Sequence, residues 1–358
     1  MEDIVKLVRA YLNNENVCFA DSSIEKKSKE QALLPMLYLV TKNKEYKKYY
    51  VSSLITLENF KMIERELTSI FNDNKIPHLY FKGKVLGDLY PDSTVRTRGD
   101  IDVYIDGSSI LKVCKLLDEN GYIKVDEDNM HHIGYRKNDL EVEIHFNMFD
   151  SECRFIKHFK SPFDLAIRMN DYMYEFNHND HFIYCLCHFY NHLVSGCGIR
   201  FVLDFYYMLN KYNLDFDYIH KIIKELELEV LYSNILNAIF YLTNVRFDDV
   251  EIIDIEFFID YLVKSGVHGF SNDDRDKNRS INKERKFKYA LMRLFMVNKA
   301  YRLSLYPKMG KHLILYPVCF IHHLFYLLIF KSKKAFRLLF KGNKTTDSQK
   351  EYYKRMGL

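Results

Sequence analysis

The run Arg96–Asp106, RTRGDIDVYID, decides how the rest of the chain is read. Written as a strand, its side chains alternate between two faces. Ile101, Val103 and Ile105 fall on one face, which is apolar and asks to be packed against helices. Asp100, Asp102 and Tyr104 fall on the other. Two aspartates at i and i+2 on one face of a strand lie roughly 7 Å apart. That spacing suits hard divalent cations, because Mg²⁺ takes oxygen ligands and one or two protein carboxylates per ion. A lone D-x-D on a strand is more often a solvated sheet face, since Asp and Glu are ordinarily exposed.

Working outward, Leu140–Phe146 (LEVEIHF) repeats the pattern, with Val142, Ile144 and Phe146 on an apolar face and Glu141, Glu143 and His145 on the other. A neighbouring strand can thus bring Glu143 beside the aspartate pair. Three crowded carboxylates repel one another unless cations neutralise them, so a metal site explains the pattern better than a solvated surface does. Before the D-x-D, Phe81–Pro91 (FKGKVLGDLYP) reads as a strand ending at Phe81, a glycine at Gly83 and then a helix. Such a step offers free backbone N–H groups to a phosphate. Lys82, Lys84, Arg96 and Arg98 surround it with positive charge. The ordered combination of glycine before a helix, D-x-D on a strand and a later strand carboxylate is more specific than any one part.

At these residues the chain resembles the large bacterial nucleotidyltransferase family of the DNA polymerase β superfamily. The resemblance is carried by FKGKVLGDLYP, RTRGDIDVYI, HHIGY (His131–Tyr135) and VEIH (Val142–His145), and extends weakly over His188–Leu209. It implies an α+β fold, a small mixed sheet embedded between N-terminal and C-terminal helical layers. It also implies metal binding and catalysis by Asp100, Asp102 and Glu143, with Mg²⁺ or Mn²⁺ as cofactor. An NTP would bind at Lys82, Gly83, Lys84, Arg96 and Arg98 and donate a nucleoside monophosphate to a hydroxyl-bearing acceptor. ATP is the NTP expected on general grounds. The acceptor is open: a protein side chain, a sugar, a small metabolite or RNA. One departure stands out, because Lys84 occupies the position after Gly83 where the superfamily usually carries Gly or Ser.

The remaining chain frames that core. Residues 1–75 show helical spacing, with Ile4, Leu7, Val8 and Tyr11 in one stripe and a long helix expected from about Tyr46 to Asn72. Residues 76–152 carry four expected strands (Ile76–Phe81, Gly99–Asp106, His131–Arg136, Leu140–Phe146) and two helices (Lys84–Leu89 and Ser109–Asn120, the latter stopped by Gly121). Lys137-Asn138-Asp139 reads as a hairpin connection. Helical texture returns after Phe155, in residues 153–300 and again in a basic tail at 301–358, interrupted by a polar run at His268–Lys286 that reads as an exposed loop.

Composition bounds the alternatives. With 48% hydrophobic and 28% charged residues the 358-residue chain has material for a large core. A net charge of +4 carries no strong nucleic-acid signal. Seven scattered cysteines read as reduced, buried thiols of a cytoplasmic protein, and the N-terminus lacks the basic and apolar segments of a signal peptide. Cys185, His188 and His192 tempt a zinc reading, but without paired C-x-x-C or H-E-x-x-H they read as core residues. Arg200 and Asp204 read as a helix pair, with nucleotide contact as the alternative. His131, His132 and His145 read as hydrogen-bonded sheet histidines, with phosphate or metal contact as the alternative. Residues 312–344 join an apolar helix to six basic residues, which admits a buried bundle helix, a peripheral membrane contact or a span. Two rival functions remain: a D-x-D metal-dependent glycosyltransferase, and a non-catalytic nucleotide-binding scaffold.

Overall fold

In the computed structural model the described residues are 1–125, 131–150, 153–269, 312–330 and 347–358, with a few single positions between 295 and 309. Helical spacing before residue 75 becomes α1 (Glu2–Leu12), α2 (Ser23–Glu30), α3 (Leu34–Thr41) and α4 (Lys47–Asp73). The alternating runs become strands: β1 (His78–Tyr80), β2 (Asp100–Ile105), β3 (Ile123–Lys124), β4 (His132–Lys137) and β5 (Leu140–His145). Between them lie α5 (Gly83–Gly87) and α6 (Ile110–Glu119). Gly121 follows α6 at φ +77°, the left-handed conformation that ends helices and that glycine adopts without steric cost. β4 and β5 are joined by Asn138 and Asp139, both at positive φ, which is the two-residue turn whose twist matches a hairpin.

Helix does not resume directly after Phe155. The chain first makes β6 (Ala166–Asn170) and β7 (Met173–Phe176), which join the sheet beyond residue 152. Among the described residues the sheet is therefore seven-stranded, ordered β3-β4-β5-β2-β1-β7-β6. β2 runs parallel to β5 and β1 parallel to β7, and the other neighbours are antiparallel. This is a mixed sheet between helical layers, the α+β architecture expected from the sequence.

Period-two alternation sorts the two faces. Ile101, Val103, Ile105, Val142 and Ile144 are buried in one apolar cluster with Phe60, Ile63 and Leu67 of α4 and Ile110, Val113 and Leu117 of α6. The opposite face meets a second, larger cluster built from α7 (His178–Leu193), α8 (Arg200–Lys211), α9 (Phe216–Glu225), α10 (Glu229–Thr243) and α11 (Glu256–Ser265). Asn177 caps α7 by accepting the Asp180 backbone N–H at 3.0 Å, which fixes where that helix leaves the sheet.

The C-terminal segment supplies α12 (Tyr316–Phe330) and α13 (Asp347–Met356). α12 buries Cys319 and His323, yet Val318, Ile321, Phe325 and Ile329 are each more than half exposed at helical spacing. Among the described residues no helix is long and apolar enough to cross a membrane. The polar run at His268–Lys286, from residue 270 onward, and the basic run after Phe330 lie outside the described residues. Among the described residues the seven cysteines form no disulfide.

Candidate active site

The polar face of β2 and β5 forms one wall of a cleft of about 900 Å³, and α7 with the start of α8 forms the other. Register brings the acids together: Asp100 lies opposite Glu141, and Asp102 opposite Glu143. The next strand contributes His132 opposite His145, and Gly134, which has no side chain, opposite Glu143. Asp102, Glu143 and His145 offer three potential metal-ligand atoms within 4.8 Å of one another. Asp100, Asp102, Glu143, Lys82 and Gly83 all line the cleft, and Arg96 and Arg98 reach it as well. Lys84 does not; it lines a neighbouring depression beneath α4 and pairs with Glu175 at 3.1 Å.

Positive charge meets these carboxylates at two points. The Lys82 ammonium lies 2.6 Å from Asp102 Oδ1, and His145 Nε2 lies 3.0 Å from both Asp102 Oδ1 and Glu143 Oε2. Lys82 reaches Asp102 from a backbone at φ +57°, a region that L residues rarely occupy. The strand-to-helix step thus presents a lysine side chain to the acids as well as a glycine turn. Asp102 is almost fully buried. Burial opposes its charge, but Lys82 and the His145 hydrogen bond hold its carboxyl below the usual value. Glu143 is likewise held well down by His145 against burial, and His145 is pushed up by its two carboxylate partners although burial opposes that. Asp100 goes the other way: the Asp102 charge and then burial push it up to about 7. Asp102 Oδ2 is buried with no hydrogen-bond partner among the described residues. A strained acidic pair with an orphaned carboxylate oxygen is a donor set that fits a hard divalent cation.

The arginines divide differently from the sequence pattern. Arg96 grips Asp204 with two hydrogen bonds, 2.8 Å from Nε and 3.0 Å from Nη2, while the Tyr90 hydroxyl donates to the same carboxylate at 2.7 Å. Asp204 is therefore not the helix partner of Arg200; it ties α8 to the segment before β2. Arg98 is paired with Glu64 of α4 and keeps a buried Nε–H without an acceptor among the described residues. Arg200 donates to the Thr97 carbonyl, and its Nε–H is also buried without an acceptor. No carboxylate pairs with Arg200 among the described residues, and burial together with the Arg96 charge lowers its pKa. This cation on the cleft wall is a candidate that local sequence patterns underweight, because its lack of a carboxylate partner among the described residues depends on Arg96 taking Asp204 from 108 positions away.

His188 and His192 line the cleft from α7. Cys185 is buried beside them. None of the three belongs to a convergent ligand group among the described residues.

A family model described as "Uncharacterised nucleotidyltransferase" matches residues 54–244, more than half of the chain. The chain belongs to that family. The matched segment runs from within α4 to the end of α10, and so holds the whole sheet, both walls of the cleft and every acid named above. A nucleotidyltransferase takes an NTP as substrate and transfers its nucleoside monophosphate, which is the general activity this membership gives. No curated protein and no solved structure matches this nucleotidyltransferase.

Proposed function

We propose that the cleft catalyses divalent-metal-dependent transfer of a nucleoside monophosphate from an NTP, with ATP the first candidate, to a hydroxyl on an acceptor. The single observation that carries this reading is the convergence of Asp102 and Glu143 on paired strands beside Asp100, with Asp102 Oδ2 left unpartnered. Asp100, Asp102 and Glu143 are the residues that would hold Mg²⁺ or Mn²⁺. When bound, such ions polarise phosphoryl oxygens and make an attacking hydroxyl more acidic.

The protein's own residues then have separable tasks. The acceptor oxygen bonds to the α-phosphorus, the bond from that phosphorus to the bridging oxygen breaks, and pyrophosphate leaves. Glu143, facing the cleft beside His145, is the candidate to receive the acceptor's proton. Arg200 supplies an uncompensated guanidinium for the triphosphate, and Arg98 can donate its spare Nε–H there. Gly83 keeps the turn close: a methyl group on it would meet Arg98 Cδ at 3.2 Å. Lys82 lies 2.6 Å from Asp102 Oδ1 and offsets part of the acidic charge.

A glycosyltransferase reading of the same D-x-D would call for strands alternating with helices ahead of the motif. Four helices and one three-residue strand precede it instead, before the short α5. The test is incubation of the purified protein with each α-labelled NTP, Mg²⁺ or Mn²⁺ and a cell lysate. Transfer of nucleotide label by the wild type, abolished in Asp100→Ala plus Asp102→Ala, supports the reading. Transfer of a sugar mass, or label transfer that survives the double substitution, sinks it.

The exposed apolar stripe of α12 followed in sequence by six basic residues and no acid within 331–344 favours a peripheral contact with an anionic membrane surface. Co-sedimentation with vesicles containing phosphatidylserine, lost on Ile321→Glu plus Phe325→Glu, is the expected result. Equal pelleting with purely zwitterionic vesicles would remove the electrostatic part of this reading, and no pelleting at all would remove the contact.

A further inference from the structure

The acids are only half of the polar face. His132 stands directly opposite His145 across the β4–β5 ladder, and His131 precedes it where that ladder closes, its carbonyl accepting the N–H groups of Phe146 and Asn147. The three imidazole rings form a triangle, with centroids 4.8, 4.9 and 5.5 Å apart. One ring nitrogen from each lies within 4.8 Å of those of the other two. We infer that His131, His132 and His145 form a further metal site, selective for a borderline divalent cation such as Zn²⁺ over Mg²⁺.

Three features support a built site. First, His131 is oriented by a carboxylate: its Nδ1 lies 2.8 Å from Asp150 Oδ1. A carboxylate behind a histidine is the usual way a ligating imidazole is fixed in tautomer and direction. Second, His145 is nearly inaccessible, and while its Nε2 serves Asp102 and Glu143, its Nδ1 is buried with no hydrogen-bond partner among the described residues. Third, Glu143 Oε2 lies 3.4 Å from His132 Nδ1, so an anionic oxygen adjoins the imidazoles. Imidazole nitrogens suit Zn²⁺, Co²⁺ and Ni²⁺, whereas Mg²⁺ demands oxygen. The donor chemistry therefore separates this position from the aspartates, although His145 stands at the border of both.

The site shares His145 with the neighbouring acids Asp102 and Glu143, so its test reads metal rather than turnover. Full-length protein is stripped with a chelator, loaded with Zn²⁺ or Co²⁺, and dialysed against a large excess of Mg²⁺. About one equivalent of Zn²⁺ should remain, with imidazole scattering in the zinc X-ray absorption spectrum and visible absorption from the Co²⁺ form. His132→Ala should lose the ion. Asp150→Ala, which leaves all three rings in place, should weaken it about 10–100-fold. Asp100→Asn should retain it. Displacement of Zn²⁺ by Mg²⁺, a zinc spectrum without imidazole scattering, or unchanged affinity in both His132→Ala and Asp150→Ala would overturn the inference. So would loss of zinc from Asp100→Asn to the same degree as from His132→Ala. The wild-type spectrum is decisive by itself, so the test holds even where a variant is unstable. A protein that binds zinc this way yet transfers no nucleotide would fail only the nucleotidyl-transfer reading.

Discussion

The two faces of the central sheet are made by alternate residues of the same strands and obey opposite rules. On the side of α4 and α6, Val103, Ile105, Val142 and Ile144 are fully buried among aliphatic and aromatic neighbours. On the side of α7 and α8, Asp102, His132 and His145 are buried almost as deeply, and they are charged or polar. Burial on the first face is favourable by roughly 25 cal/mol per Å² of apolar surface. On the second it is costly unless each charge finds a partner. The cleft meets that requirement only in part: Lys82 and His145 serve Asp102 Oδ1 while Oδ2 goes without. A sheet that gains its stability on one side can carry unsatisfied groups on the other, and those groups are the ones available to a ligand.

The sharpest way to break this contrast is to substitute each face in turn. On the polar face, Asp100→Ala plus Asp102→Ala should reduce nucleotidyl transfer by on the order of 10³-fold or more. Circular dichroism should show the fold retained. On the apolar face, Ile144→Ala should cost about 2–5 kcal/mol in urea unfolding through the cavity it leaves. Activity per folded molecule should be unchanged. If the double aspartate variant unfolds as readily as Ile144→Ala, the polar face is structural and the division fails.

The alternation behind this division is legible in the sequence because its period of two coincides with a change from apolar to acidic residues. Ile101, Val103 and Ile105 against Asp100 and Asp102 require no tertiary knowledge. β6 is not legible for the opposite reason. Ala166–Asn170 is an edge strand, largely exposed, and lacks the apolar alternation that would announce it. The fate of the arginines is also out of reach. Whether Arg96 meets a phosphate or a carboxylate depends on Asp204, which the fold brings from α8. Lys82 is legible as a charge beside the glycine turn, but its positive φ and its seat on Asp102 are products of packing. His131 looks like the odd residue of the HHIGY run, pointing to the wrong face by strict alternation. The chain closes the ladder there and turns the ring toward His132 and His145.

Arg200 sharpens the comparison on the far wall of the cleft. A guanidinium without a carboxylate partner gains most from an anionic ligand, so Arg200→Ala should raise the KM for NTP about 10–100-fold with a smaller change in kcat. Arg96→Ala should instead lower stability, since it leaves the buried Asp204 carboxylate unpaired. The reverse pattern, with Arg96 controlling KM and Arg200 controlling stability, would assign the phosphate to the segment before β2.

The smallest effect tests whether the polar face is destabilising on its own. Asp100 is pushed up to about 7 by the charge of Asp102 and by burial, with Glu143 adding to the push and Lys82 and His145 opposing it. The folded state therefore holds the Asp100 proton more tightly than the unfolded chain does. Stability from this group is fully present below the unfolded value near 4 and is lost as pH rises toward 7. Asp100→Asn removes the titration while keeping the shape. In chelator-treated protein the variant should exceed the wild type above pH 7 by on the order of 2 kcal/mol, a gain of a few degrees in Tm. The difference should shrink steadily as pH falls toward 4. Saturating Mg²⁺ should reverse the order, because cations relieve the repulsion only where the carboxylate remains. An Asn variant no more stable than wild type at high pH without metal would mean that Lys82 and His145 already balance the acids, and that the cleft has no electrostatic need of a cation.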